Sequence, residues 1–165
     1  MRIVFSLLMD NTPGVLSRIA GLFTRRGYNI ESITAGVTAD PRFTRMTVVS
    51  TGDRDILEQI EKQIRKLEDV RDIKRLYDKN SVFRELVMIK IRATAQQREA
   101  VNAVATIFRA SIVDVSKDSL TIMMTGDQDK VDALINLLGD YEILELARTG
   151  LTGLSRGSDD VRYFD

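Results

Sequence analysis

The motif Thr51-Gly52-Asp53-Arg54-Asp55 returns later in the chain as Thr125-Gly126-Asp127-Gln128-Asp129. Taken alone, it is a turn followed by an Asp helix cap. Its setting carries more weight, because the same succession of six segments surrounds both copies. In the first half, Ile3–Met9 reads as an apolar strand. Val15, Leu16, Ile19, Ala20, Leu22 and Phe23 mark one stripe of a helix that Gly27 stops. Asn29–Val37 and Arg45–Thr51 read as strands. Ile56, Ile60, Ile64 and Leu67 mark a second helix, with Glu58–Lys62 and Glu61–Arg65 spaced for ion pairing, and Val70–Leu76 a fourth strand. In the second half the segments are Glu85–Arg92, a helix over Ala95–Arg109, Ser111–Ser116, Ser119–Thr125, a helix over Asp129–Leu138, and Tyr141–Ala147. The order βαββαβ, met twice, predicts an α+β fold of two ferredoxin-like units, each an antiparallel sheet with its helices on one face. The predicted domains are residues 1–77 and 82–165, joined by a polar linker over 78–81. The tail from Gly150 is expected to fray at its end.

Helices on one face leave the other face of each sheet open. Ile3–Met9 is nonetheless apolar at nearly every position, the pattern of a strand covered on both sides. A second unit or a second chain is the simplest expected cover.

Composition then narrows the chemistry. The chain has no His, no Cys and no Trp. That removes thiol nucleophiles, Ser–His and Cys–His pairs, imidazole bases, thiolate or imidazole zinc sites and disulfides. Lys and Arg total 24, as do Asp and Glu, so there is no cationic footprint for nucleic acid. The RNA-binding version of this fold stacks bases on aromatic residues of its sheet. The third strand, Arg45-Met46-Thr47-Val48-Val49-Ser50, has none. The N-terminal apolar run ends at Asp10, too short to span a bilayer, so a soluble cytoplasmic protein with no membrane partner is expected. Asp53, Asp55, Asp127 and Asp129 sit at helix starts and read as caps, not metal ligands. No metal and no catalytic residue is assigned.

The segment Asp10-Asn11-Thr12-Pro13-Gly14-Val15-Leu16 leaves a strand and enters a helix. It reads in two ways. It is a plain helix start with a turn glycine, the reading the residues alone favour. It is also a place where free helix N–H groups and the dipole hold a carboxylate, with Gly14 allowing close approach and Asn11 offering both donor and acceptor. Gly27-Tyr28-Asn29-Ile30 likewise reads as a helix end, or as a second amide facing the Asn11 loop of a neighbouring copy.

A family resemblance decides between these readings. Asp10-Asn11-x-x-Gly14-Val15-Leu16-Ser17-Arg18, Gly21-Leu22-Phe23 and Arg26-Gly27-Tyr28-Asn29-Ile30-Glu31-Ser32 resemble an ACT domain. Together with Arg45-Met46-Thr47, Leu57–Gln63 and Gly153-Leu154-Ser155-Arg156-Gly157, they resemble the small regulatory subunit of acetohydroxyacid (acetolactate) synthase, in its bacterial form, over essentially the whole chain. The resemblance implies a non-catalytic homodimer that binds a branched-chain amino acid, usually valine. It implies feedback inhibition and activation of a separate catalytic large subunit, which carries the thiamine diphosphate, Mg and FAD; this chain would carry no cofactor. It places the effector at Asn11, Gly14, Val15 and Leu16 of one ACT domain and at Asn29 and Ile30 of its dimer mate. The alternative is an ACT protein that binds an amino acid and regulates another enzyme.

Overall fold

The computed structural model describes residues 1–158. Its elements run β1 (Arg2–Asp10), α1 (Val15–Arg26), β2 (Asn29–Val37), β3 (Phe43–Thr51), α2 (Arg54–Arg65) and β4 (Val70–Leu76). They continue with β5 (Ser81–Arg92), α3 (Arg98–Ile107), β6 (Ser111–Val115), β7 (Ser119–Gly126), α4 (Gln128–Leu138), β8 (Ile143–Arg148) and β9 (Thr152–Ser155). One sheet has the order β2-β3-β1-β4, and β6-β7-β5-β8 repeats it. The ladders are antiparallel, so both halves are ferredoxin-like. No helix among the described residues is long and apolar enough to cross a membrane.

The chain divides into two compact units. One is Met1–Phe83 together with the segment from Gly150, and the other is Arg84–Thr149. The stretch 78–81, read as a linker, is a 3-10 turn over Asp78–Asn80 that runs directly into β5.

In the first unit, β1 pairs Phe5 with Val48 and Leu7 with Met46. These residues share a helix-side core with Ile19 and Phe23 of α1 and Leu57, Ile60 and Ile64 of α2. Leu57, not Ile56, holds the first place on the buried stripe of α2: Leu57 is 1% exposed and Ile56 37%. Both phases fit a helical period, and contact with the sheet selects the i, i+3, i+7 set. On the wet side Arg65 meets Glu61 at 3.0 Å as expected, whereas Glu58 turns back to Arg54 at 3.2 Å and not to Lys62.

The opposite face of the first sheet is also buried, at Val4, Ser6 and Leu8. The chain's own tail supplies cover on this face, where a second unit or chain was the simplest expectation. Leu151 packs with Val4, Val49, Leu76 and Phe83. Thr34 Oγ1 donates to the carbonyl of Leu151 at 3.1 Å, the Gly153 N–H to Thr47 Oγ1 at 3.3 Å, and Lys74 Nζ to Ser155 Oγ at 2.6 Å. A Cβ on Gly153 would lie 2.6 Å from the Phe83 ring, so only glycine lets the backbone approach this closely. β9 had no strand signal in the sequence, being four residues with a central glycine. The end expected to fray lies outside the described residues.

The second unit builds its core from Val87, Ile89 and Ile91 of β5, Val101 and Ala105 of α3, Ile122 and Met124 of β7, and Leu134 and Leu138 of α4. Its other sheet face meets solvent, with Met88 exposed and Lys90 paired to Glu145 at 2.7 Å. Glu85 is buried and receives two bonds from Arg148, at 2.6 and 2.9 Å. The hydrogen bond to Glu85 raises the Arg148 pKa against the opposing effect of burial, and Asp132 adds to the rise.

Candidate functional site

β1 ends at Asp10, and the chain turns through Asn11–Gly14 into α1. Gly14 has φ +85°, a left-handed conformation that favours glycine, and it occupies the N-cap of α1. With no side chain of its own it makes no cap bond, and the first turn of α1 holds no acidic residue. The other three helices each carry one there: Asp55, Glu99 and Asp129. The positive end of the α1 dipole is therefore not neutralised by its own first turn. Asp127 caps α4, its carboxylate accepting from the Lys130 N–H at 2.9 Å; Asp53 takes the same position on α2 without a side-chain bond.

The loop is held from several sides. The Asn11 N–H donates to the carbonyl of Arg42 at 2.8 Å, and its side-chain amide donates to the carbonyl of Pro41 at 3.0 Å. Its Oδ1 accepts from Thr44 Oγ1 at 3.3 Å. Asn11 thus locks the helix-entry loop to the β2–β3 turn while staying exposed. Asp10 is engaged by Arg71 through two bonds, at 2.7 and 2.6 Å, which raise the Arg71 pKa. Arg18, on the first turns of α1, pairs with Asp69 at 2.5 Å. The carboxylates beside the loop are each matched to a guanidinium.

Between this loop and the β2–β3 hairpin lies a cavity of about 270 Å³. Asp10, Asn11, Thr12 and Thr44 give it a polar rim. Met9, Met46 and Val15, all nearly fully buried, give it an apolar floor, and Leu16, Ala35, Gly36 and Val37 wall it. Such a cavity suits a small ligand with a charged end and an aliphatic end.

Of the residues expected at the site, Asn11, Val15 and Leu16 line this cavity and Gly14 begins the helix beside it. Asn29 and Ile30 do not join them within one chain. Asn29 pairs with Thr51 and Val37 with Thr44, so they lie at opposite ends of the β2–β3 ladder, roughly 23 Å apart at ~3.3 Å per residue. Asn29 Nδ2 there donates to Thr51 Oγ1 at 3.0 Å. Met9, Ala35, Val37, Thr44 and Met46 went unrecognised in the sequence. Only the strand register brings them to the loop, and the one local signal was alternation along β3. Among the described residues, no group of three or more acidic side chains could hold a metal.

The fold and this helix-entry pocket define an ACT-type domain followed by a second unit of the same topology. Family models match both halves: residues 5–72 match the acetohydroxyacid synthase small subunit-like ACT domain, and residues 84–157 match the small subunit of acetolactate synthase. The chain is 49% identical to the probable acetolactate synthase small subunit of Methanothermobacter thermautotrophicus, over 94% of this chain and 93% of that one. It is 44% identical to the acetolactate synthase small subunit of Haemophilus influenzae, over 98% and 99%. The crystal structure of the small subunit from Thermotoga maritima superposes with a TM-score of 0.88 at 38% identity, covering 95% of this chain and 98% of that one. The chain belongs to the acetolactate synthase small-subunit family.

Proposed function

We propose that this chain is the regulatory subunit of acetohydroxyacid synthase. It binds valine or another branched-chain amino acid at the α1 pocket, confers feedback inhibition on a separate catalytic subunit and raises that subunit's activity. The observation that carries this reading is the start of α1, free of acid and of any side-chain cap, beside a cavity with a polar rim and an apolar floor. The N–H groups of the first turn receive the amino acid's carboxylate, and the aliphatic side chain lies against Met9, Met46 and Val15.

Two copies share the site. β2 is an edge strand with Ile33 at its midpoint. Antiparallel pairing of two such edges about Ile33 sets Asn29 of one copy opposite Val37 of the other, at the open side of the pocket. The mate's Asn29 and Ile30 then complete the set formed by Asn11, Gly14, Val15 and Leu16. A ligand seated across that boundary favours one arrangement of the two copies, and it shifts the catalytic subunit only as far as it binds the two arrangements unequally.

The test is reconstitution with a catalytic subunit. Acetolactate formation rises when the chain is added and falls again with valine. An activity indifferent to the chain, with no large subunit retained on it in a pull-down, would refute the assignment in favour of an ACT regulator of some other enzyme.

A further inference from the structure

Ala35 lies opposite Met46 in the β2–β3 ladder, and Met46 lies opposite Leu7 of β1. Directly opposed residues share a sheet face. Met46 and Leu7 belong to the helix-side core, so the Ala35 methyl group points to the side on which the cavity opens. Its neighbours on β2 differ. Gly36 is opposite Arg45, hence on the other face, and Val37, opposite Thr44, sits at the rim with 59% exposure. Val37 shares the face of Ala35, in line with Thr44 and Met9, while Ala35 stands in line with Met46 and fills its part of the wall with a single methyl group.

We infer that Ala35 sets the size of the aliphatic side chain the pocket accepts. The inference rests on the effector reading above and deepens it. A longer side chain at position 35 occupies the volume that the ligand's terminal methyl groups need. Pockets built this way separate ligands differing by one methylene by about 10- to 200-fold. Ala35 is exposed on an edge strand, outside the core, and a β-branched residue suits that setting. Substitution there spares the core, and any effect on the β2 seam between copies is common to the three ligands, so their affinity ratio reads the pocket.

The experiment is titration calorimetry of the full chain with valine, isoleucine and leucine, in the wild type, Ala35→Val and Ala35→Gly. Ala35→Val weakens leucine relative to valine by at least about tenfold, and Ala35→Gly moves the ratio the other way. Should Ala35→Val fail to fold, Ala35→Gly decides. Binding of all three amino acids with the same ratio in every protein overturns the selector role of Ala35 and leaves the effector site standing. A wild-type chain that binds none of them overturns both.

Discussion

Gly153 has no room for a side chain. Its N–H reaches the hydroxyl of buried Thr47, and a Cβ would press on the Phe83 ring and come within 3.0 Å of Leu76. Gly153→Val therefore lifts the tail off the sheet or distorts Phe83. We expect a loss of about 1–3 kcal/mol, typical of overpacking, measured by urea unfolding. Wild-type stability in this variant would show that the tail is not a structural cover. The caps give a paired prediction. Asp127→Ala costs about 1 kcal/mol because its carboxylate bonds the Lys130 N–H. Asp53→Ala costs clearly less, since no such bond forms on α2. Equal losses would contradict the geometry. At this scale the sequence was partly legible. The two Asp caps and the turn at Gly14 follow from local chemistry, whereas the need for glycine at 153 depends on a ring seventy positions away in the chain.

The elements show where local reading stops. The alternation of Val87, Ile89 and Ile91 with Met88 and Lys90 correctly announces a strand with one wet face, and the unbroken apolar run of β1 announces two covered faces. What covers the second face was not legible, because β9 lacks any β-branched run of its own. On α2 the sequence places Ile60, Ile64 and Leu67 on the core side but takes Ile56 for Leu57 at the start of the stripe, for a related reason: the two are equally apolar, and the sheet decides between them. The same helix supplies a pH prediction. Burial pushes the Glu61 carboxyl up, but hydrogen bonds from Arg75 on β4 and Arg65 outweigh it and hold the group below its ordinary value. A carboxylate lowered in the folded state adds stability that is fully present above its unfolded pKa and is lost as pH falls through the folded one. Urea unfolding should show stability falling as pH drops below 4.5, the ordinary glutamate value, and Glu61→Gln should flatten that part of the profile. An unchanged acid profile in the variant would show that the α2–β4 clip contributes nothing.

At the scale of the whole molecule, the repeated motif was enough to predict two ferredoxin-like units. The return of residues from Gly150 to the first unit was not predicted, because it reverses the order of the chain. The site divides in the same way. Asn11, Gly14, Val15 and Leu16 belong to one contiguous loop and are visible as a motif. The opposite wall, Ala35, Thr44 and Met46, is assembled by strand register. Asn29 and Ile30 enter only through a second copy. The central claim is that this composite pocket, with its carboxylate end at the start of α1, binds the effector. Gly14→Asp tests it, because the new carboxylate would sit where the ligand's must go. An added Cβ meets the flexible Arg18 guanidinium at 3.0 Å and strains the backbone at φ +85°, so the fold of the variant is checked first. Titration calorimetry with valine, on protein whose folded circular dichroism spectrum matches the wild type, is the direct measurement. Saturable binding by the wild type that disappears in Gly14→Asp is the predicted result; an unchanged valine affinity in the variant would contradict the site.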